Sequence, residues 1–201
     1  MDPSLLLQHI ARHITLSGEQ QDYFVSLLHS KKIRKKQYLY QEGDITRGPV
    51  FVTAGLLRSY SIDNNGYEHV IQFGPPGWWI GDMNSLVKQE PGTLYCDALE
   101  DSEVIWLWKA DLDRLYSTVP LFERFFRILA ENALISYQAR LVSILSLPAA
   151  ERYAGFCRLY PTLIECLPQK QVASYIGVTP EFLSKMLNSL PRTSGKGEKP
   201  A

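Results

Sequence analysis

The residues from Leu167 to Leu190, LPQKQVASYIGVTPEFLSKMLNSL, bring a turn, a helix start and two apolar faces together in a way suited to reading a nucleic-acid groove. Gln169 to Ile176 has helix composition, with Val172, Ala173 and Ile176 on one apolar face. Gly177 can take the left-handed conformation that ends a helix. Thr179 is a good N-cap, Pro180 fits the first helical position, and Glu181 suits the positive helix start. The second helix is expected to turn Phe182, Leu183, Met186 and Leu187 inward. Ala173, Gly177 and Leu183 supply the small, turn-forming and apolar residues that two closely crossing helices of a helix-turn-helix require. An ordinary helical hairpin can carry the same spacing. Agreement of capping, turn and apolar facing, in a segment that follows a candidate dimer helix, favours a DNA-reading device.

Other chemistry is poorly supplied. His9, His13, His29 and His69 are scattered; His9 and His13 could share a helix face, but nothing nearby completes a metal site. Cys96, Cys157 and Cys166 are odd in number and show no CxxC spacing, which fits a reducing compartment with idle thiols. A metal-dependent cupin would need His-x-His and a Glu on neighbouring strands, and only His69 lies in a strand-like run. No Ser–His–acid set or phosphate-cradling Gly-rich loop is visible, so no enzyme activity is expected. The chain of 201 residues has 21 Lys+Arg against 21 Asp+Glu, yet the segment from Gln169 to Ala201 is about +3 and the remainder about −3. No apolar run reaches the ~18 residues that span a bilayer, and no signal-peptide pattern opens the chain. The expectation is a cytoplasmic protein without a membrane partner.

Stepwise changes of period give the elements that position this segment. The first thirty residues look helical, with Leu6, Ile10 and Ile14, then Phe24, Leu27 and Leu28, as apolar positions; Ser17 and Gln20 form a capping-box signature. From about Lys32, short β-rich runs appear: YLYQ, PVFVTAG, LLRSYSI, YEHVIQF and SEVIWLW, separated by the turn signals EGD, DNNG and GPPG. RSYSIDNNGYEHVIQF reads as one hairpin, because Asn65-Gly66 tolerates positive φ. Such strands suggest an antiparallel sandwich or roll. Lys109 to Tyr116 reads as a short helix and Leu121 to Leu147 as a long one, closed by Pro148. Leu121, Phe125, Ile128, Asn132, Ile135, Ala139 and Val142 trace a heptad seam, beside a second stripe of Phe122, Phe126, Leu129 and Ala133. One stripe could meet the sheet domain and the other a second copy, with Asn132 setting register; full burial of the helix in a monomer is the alternative.

From about Leu5 to Leu190 the chain resembles the Crp/Fnr family of bacterial transcription regulators, typified by the cyclic-AMP receptor protein and the fumarate-nitrate regulator. LPQKQVASYIGVTPEFLSKML is similar to that family's helix-turn-helix, especially in short members from Bacteroidetes. WWIGDMNSLVKQEPGTLYCDALEDSEV resembles its effector-binding cassette. The resemblance implies an α+β fold: an N-terminal antiparallel β-roll of the cyclic-nucleotide-binding jelly-roll type with flanking helices over 1–119, a dimerisation helix over 120–147, and a helix-turn-helix domain with a polar tail over 148–201. It implies a homodimer that binds double-stranded DNA, reads a palindrome with the helix 179–190, and admits RNA polymerase as a further partner.

By that resemblance Glu181 would accept from a cytosine amino group and Lys185 would donate to guanine O6 and N7, with Ser184 and Asn188 in support. Thr179, Gln169 and Lys170 would grip phosphate. Pro180 stands where many relatives carry a base-contacting arginine, and PRTSGKGEKPA, after Leu190, is too polar and too rich in Gly and Pro for the usual wing. The effector pocket would comprise Trp78, Gly81, Asp82, Met83, Gly92 and Thr93. Family members that bind cyclic AMP present Gly-Glu to the ribose and Arg-Ser or Arg-Thr to the phosphate; here the pairs are Gly81-Asp82 and Gly92-Thr93. Without the arginine, burying a phosphate would cost several kcal/mol, so no cyclic-AMP cofactor is expected. The roll would hold another effector or none; Trp78 and Trp79 would stack on a flat ligand or simply pack beneath the long helix. Neither an N-terminal iron–sulfur cysteine cluster nor a His/Cys haem pair is present. A β-roll interaction module with a degenerate helix-turn-helix is the competing reading.

Overall fold

The computed structural model describes residues 1–189. They fall into two compact units, Met1–Arg140 and a second that begins at Leu141. Neither this division nor any other detail touches the expected absence of a wing, since Leu190 to Ala201 lie outside the described residues.

The first unit opens with α1 (Ser4–Ala11) and α2 (Gly18–Ser26). At the start of α2 the Ser17 hydroxyl accepts from the Gln20 N–H while the Gln20 side chain accepts from the Ser17 N–H, the reciprocal pair that the sequence spacing predicts. Eight strands follow: β1 (His29–Ile33), β2 (Tyr38–Tyr40), β3 (Val50–Ala54), β4 (Leu57–Ile62), β5 (Glu68–Gly74), β6 (Trp79–Ile80), β7 (Tyr95–Ala98) and β8 (Ser102–Trp106), with the short helix α3 (Met83–Lys88) between β6 and β7. They form two four-stranded antiparallel sheets, ordered β1-β8-β3-β6 and β2-β7-β4-β5. This is the expected β-roll in an α+β chain. The hairpin of β4 and β5 forms as expected, but only Gly66 takes positive φ. The tip is organised by Asp63, whose Oδ1 accepts from the N–H groups of Asn65 and Tyr67.

Two cores arise from the period-two alternation of these strands. Inward residues of both sheets, among them Val50, Val52, Leu57, Cys96 and Val104, fill the roll. The opposite face of β3 and β8, through Phe51 and Ile105, is covered by α1, α2, α4 (Lys109–Thr118) and the first turns of α5 (Leu121–Ser146).

The long helix divides lengthwise. Phe122 and Phe125 are fully buried in the first unit's core, with Phe126 and Leu129 packed against it. Phe125 is therefore removed from the expected seam: a side chain with 0% exposure inside its own domain has no surface to offer a second copy. Beyond Ala130 the apolar residues lie in solvent, Ile135 being 62% and Val142 61% exposed. The boundary between the units falls inside this helix, after Arg140. Arg140 donates from Nη2 to the Val70 carbonyl at 2.7 Å and from Nη1 to the Ile71 carbonyl at 2.5 Å, tying this part of α5 to β5.

In the second unit, α6 (Ala149–Leu159), α7 (Gln169–Ile176) and α8 (Pro180–Ser189) enclose Phe156, Tyr160, Leu163, Leu167, Val172, Ala173, Ile176 and Leu183. Phe156, Tyr160 and Tyr175 pack as an aromatic cluster with ring centroids 5.2–5.7 Å apart. Among the described residues, no helix is long and apolar enough to cross a membrane.

Candidate nucleic-acid interface

The site is built on a turn. α7 ends at Gly177, whose φ of +71° is the left-handed conformation that a Cβ disfavours. The Val178 N–H returns to the Ala173 carbonyl at 3.0 Å. Thr179 then caps α8: its Oγ1 accepts from the Phe182 N–H at 3.1 Å, and its carbonyl accepts from the Leu183 N–H. Ala173 and Leu183 are both fully buried, as a close crossing of α7 and α8 requires.

One residue that holds this turn escaped sequence reasoning. Arg152, on α6, donates from Nη1 to the Ile176 carbonyl at 2.7 Å, so a cation satisfies a carbonyl at the C-terminal end of α7. The contact spans 24 positions of sequence, and no local pattern announces it.

With Leu183 marking the buried side of α8, Glu181, Lys185 and Asn188 stand exposed on the opposite side, and Ser184 is half-buried at its flank. Thr179, Gln169 and Lys170 are exposed at the starts of the two helices. All seven expected DNA-facing residues thus lie in one unit on adjoining helices. Met186 and Leu187 are half-buried and Leu183 is buried, but Phe182 departs from expectation: it is 52% exposed rather than turned inward. Its angular position, about 100° from Leu183 and on the side of Lys185, is the signal that apolar character alone obscured.

The effector cassette lies in the first unit and is closed upon itself. Asp82, only 3% exposed, caps α3; its Oδ1 accepts from the Ser85 N–H at 3.0 Å and its Oδ2 from the Thr93 N–H at 3.1 Å. Asp82, placed directly before the apolar Met83, is an N-cap residue type in its own right. Gly92 is buried so tightly that a Cβ there would lie 2.7 Å from Asp82 Oδ2 and 3.3 Å from Ser85 Cβ. Gly81 is half-buried, while Met83 and Thr93 are exposed. Gly81-Asp82 and Gly92-Thr93 do come together, but the carboxylate expected at a ribose is engaged with backbone. Trp79 packs beneath the long helix, its ring 5.4 Å from Phe126 and 6.1 Å from Phe125. Trp78 is half-buried, and its carbonyl accepts from the Val52 N–H. A surface groove of about 460 Å³, lined in part by Leu5, Lys32, Thr53 and Glu103, includes none of the cassette residues.

The roll does contain a buried cation, Arg58, but it is committed elsewhere. Its Nε and Nη2 donate to Asp97 at 2.7 and 3.0 Å, its Nη1 to Glu68 at 2.5 Å, and its guanidinium lies 4.1 Å from the Tyr60 ring centre. Burial opposes its charge, yet the two carboxylates prevail and hold it protonated. Its neighbours on β4, Leu57 and Ser59, are the ones that face the roll interior, Leu57 within the core and Ser59 against the buried Tyr40 hydroxyl. Among the described residues, no group of three or more His, Cys, Asp or Glu could hold a metal ion.

Comparison with known proteins agrees with both halves. Residues 30–119 match the cyclic nucleotide-binding domain family. The chain is 25% identical over 190 residues to the anaerobic regulatory protein of Pasteurella multocida, covering 89% of this chain and 69% of that protein. It is likewise 25% identical over 191 residues to the fumarate and nitrate reduction regulatory protein of Vibrio cholerae, covering 89% and 76%. The solved structure of FixK2 from Bradyrhizobium japonicum superposes with a TM-score of 0.70 at 21% identity, over 87% of this chain and 89% of that one. Residues 30–119 thus form a cyclic nucleotide-binding domain, and along most of its length the chain is similar to transcription regulators of the Crp/Fnr type. With those regulators it shares the expected β-roll, long helix and C-terminal helix-turn-helix. The catabolite activator protein of Thermus thermophilus shares that fold, with a TM-score of 0.54 at 23% identity over 87% and 84% of the two chains.

Proposed function

We propose that this chain is a transcription regulator of the Crp/Fnr type, a cytoplasmic homodimer that reads a palindromic DNA site with α8, has RNA polymerase as a further partner, and does not use cyclic AMP. The observation that carries the reading is the set Glu181, Lys185 and Asn188, exposed opposite buried Leu183 on a helix whose start is fixed by Thr179 and Gly177. In this reading Lys185 donates to guanine, Glu181 accepts from cytosine, and Ser184 and Asn188 assist, while Gln169, Lys170 and Thr179 hold phosphate.

The dimer reading rests on the exposed apolar length of α5, to which Ile135, Ala139 and Val142 contribute beside Asn132. Leu121 and Ile128 would extend it toward the roll only at its rim, since Leu121 is 36% exposed and Ile128 is half-buried. The exclusion of cyclic AMP is supported by Gly92, where there is no room for the cationic side chain that a buried phosphate needs. Domain limits at 119/120 and 147/148 remain part of the proposal, with α5 as the shared connecting element.

Selection of duplex DNA from a random pool by the purified protein, with no ligand added, tests the reading. Enrichment of a palindrome with half-sites about one helical turn apart supports a dimeric reader that needs no effector. If no sequence is enriched with or without candidate effectors, the reading fails and the β-roll interaction module takes its place.

A further inference from the structure

The first turn of α8 carries a half-exposed aromatic ring. Phe182 is 52% exposed although its backbone is fixed, its N–H engaged by Thr179 Oγ1. It lies three residues before Lys185 and about 60° round the helix from it, at the border of the polar face that Glu181, Lys185 and Asn188 form. A ring left in water forgoes the free energy of burial. It cannot bond to a phosphate, and neither can Pro180, which lacks an N–H. The leading turn therefore presents one acceptor, Glu181, between two apolar groups. In the major groove the one apolar feature on a base edge is the C5-methyl group of thymine.

We propose that Phe182 is a specificity-determining residue that packs against a thymine methyl in each half-site, beside the base pairs read by Glu181 and Lys185. This rests on the reading of α8 as the DNA-reading helix. It replaces the hydrogen-bonding contact expected at the start of such helices with an apolar one, consistent with Pro180 at that place in the chain. The proposal adds a preference for thymine that the polar residues alone do not supply.

The test uses the full chain and the site it selects, with deoxyuridine substituted in turn for each enriched thymine, so that one methyl is removed and every base hydrogen bond is kept. At one thymine per half-site, deoxyuridine should weaken binding of the native protein about fourfold, the effect of one buried methyl. Phe182→Ala should bind thymine and deoxyuridine duplexes alike, Phe182→Leu should keep part of the difference, and Lys185→Ala should keep all of it. The proposal is overturned if no enriched thymine shows a methyl effect, or if Phe182→Ala retains it. Those results leave the helix assignment standing as long as Lys185→Ala alters the selected sequence. If neither Phe182→Ala nor Lys185→Ala changes what is selected, the assignment of α8 falls as well.

Discussion

Arg152 and Ile176 are joined across the helix-turn-helix: the arginine Nη1 donates to the isoleucine carbonyl at 2.7 Å, just before the left-handed Gly177. The bond fixes the direction in which α7 releases the chain into α8. A Cβ at Gly177 would lie 3.3 Å from the same nitrogen, so the turn and its anchor are fitted to each other. Arg152→Met retains most of the aliphatic bulk and removes the donor, leaving a part-buried carbonyl unsatisfied. The expected loss is ~1–3 kcal/mol of stability, measured by urea unfolding of the purified protein. DNA affinity should fall for all sequences together, without a change in the sequence preferred; a changed preference would contradict a purely positioning role.

Gly92 and Asp82 lead to a second prediction. Gly92→Arg restores the residue type found in cyclic-AMP binders, yet its Cβ would press on a carboxylate oxygen already bonded to the Thr93 N–H. The substitution should destabilise the roll by ~1–3 kcal/mol, the usual range for overpacking, and should not create cyclic-AMP binding. Thermal unfolding and calorimetric titration with cyclic AMP check both halves. Micromolar binding by the variant would show that the cassette retains a functional nucleotide pocket.

Much of this arrangement was legible because its causes are local. Ser17 with Gln20, Gly177 with Thr179, and the β-rich runs PVFVTAG and SEVIWLW are determined by neighbours a few residues apart. What escaped notice depends on distant packing. Periodicity marks stripes along α5 but not which length of them the roll covers, so it assigns to a seam the Phe125 that packs with Phe51 and Trp79 in the core. β1 carries four exposed residues out of five and lacks an apolar alternation to reveal it. Phe182 shows the limit from the other direction: apolar character predicts burial, yet its position on the side of α8 away from Leu183 leaves it 52% exposed.

Ile135 and Phe125 lie on the same helix but should respond oppositely to substitution. Ile135→Glu places a charge in an exposed apolar stretch; the proposed dimer should dissociate at micromolar concentration in sedimentation experiments while the far-ultraviolet spectrum is retained. Phe125→Ala empties a fully buried position and should cost ~3–5 kcal/mol of fold stability. Were Ile135→Glu to remain dimeric, the exposed length of α5 would not be the interface.

Substitutions at Lys185 and Lys170 should separate specificity from affinity. Lys185→Ala should relax discrimination at one base pair per half-site by ~1–3 kcal/mol. Lys170→Ala should weaken all sequences alike and flatten the dependence of log affinity on log salt by about one unit. Parallel titrations over a range of salt, on the selected site and on single-base variants, distinguish the two. Equal behaviour would refute the division between base and phosphate contacts.

His9 introduces a pH dependence in the first unit. Its ring lies 5.6 Å from Phe51 and 5.9 Å from Phe125, with His13 and Arg12 nearby. Burial first, and then those two residues, lower its pKa below the ordinary 6.5. The unfolded chain therefore takes up this proton at a higher pH than the folded protein does. The contribution of neutral His9 to stability is complete above about pH 6.5 and declines as the pH falls from there through the lowered value. Thermal unfolding should accordingly begin earlier at pH 5.5 than at pH 7.5, and His9→Gln should reduce that difference because the amide does not titrate. Asp63, whose carboxylate is held below its usual range by His69 and by the Tyr67 and Asn65 N–H groups, acts at lower pH and should leave the comparison unaffected. An unchanged difference in the His9→Gln variant would assign the pH dependence to other groups.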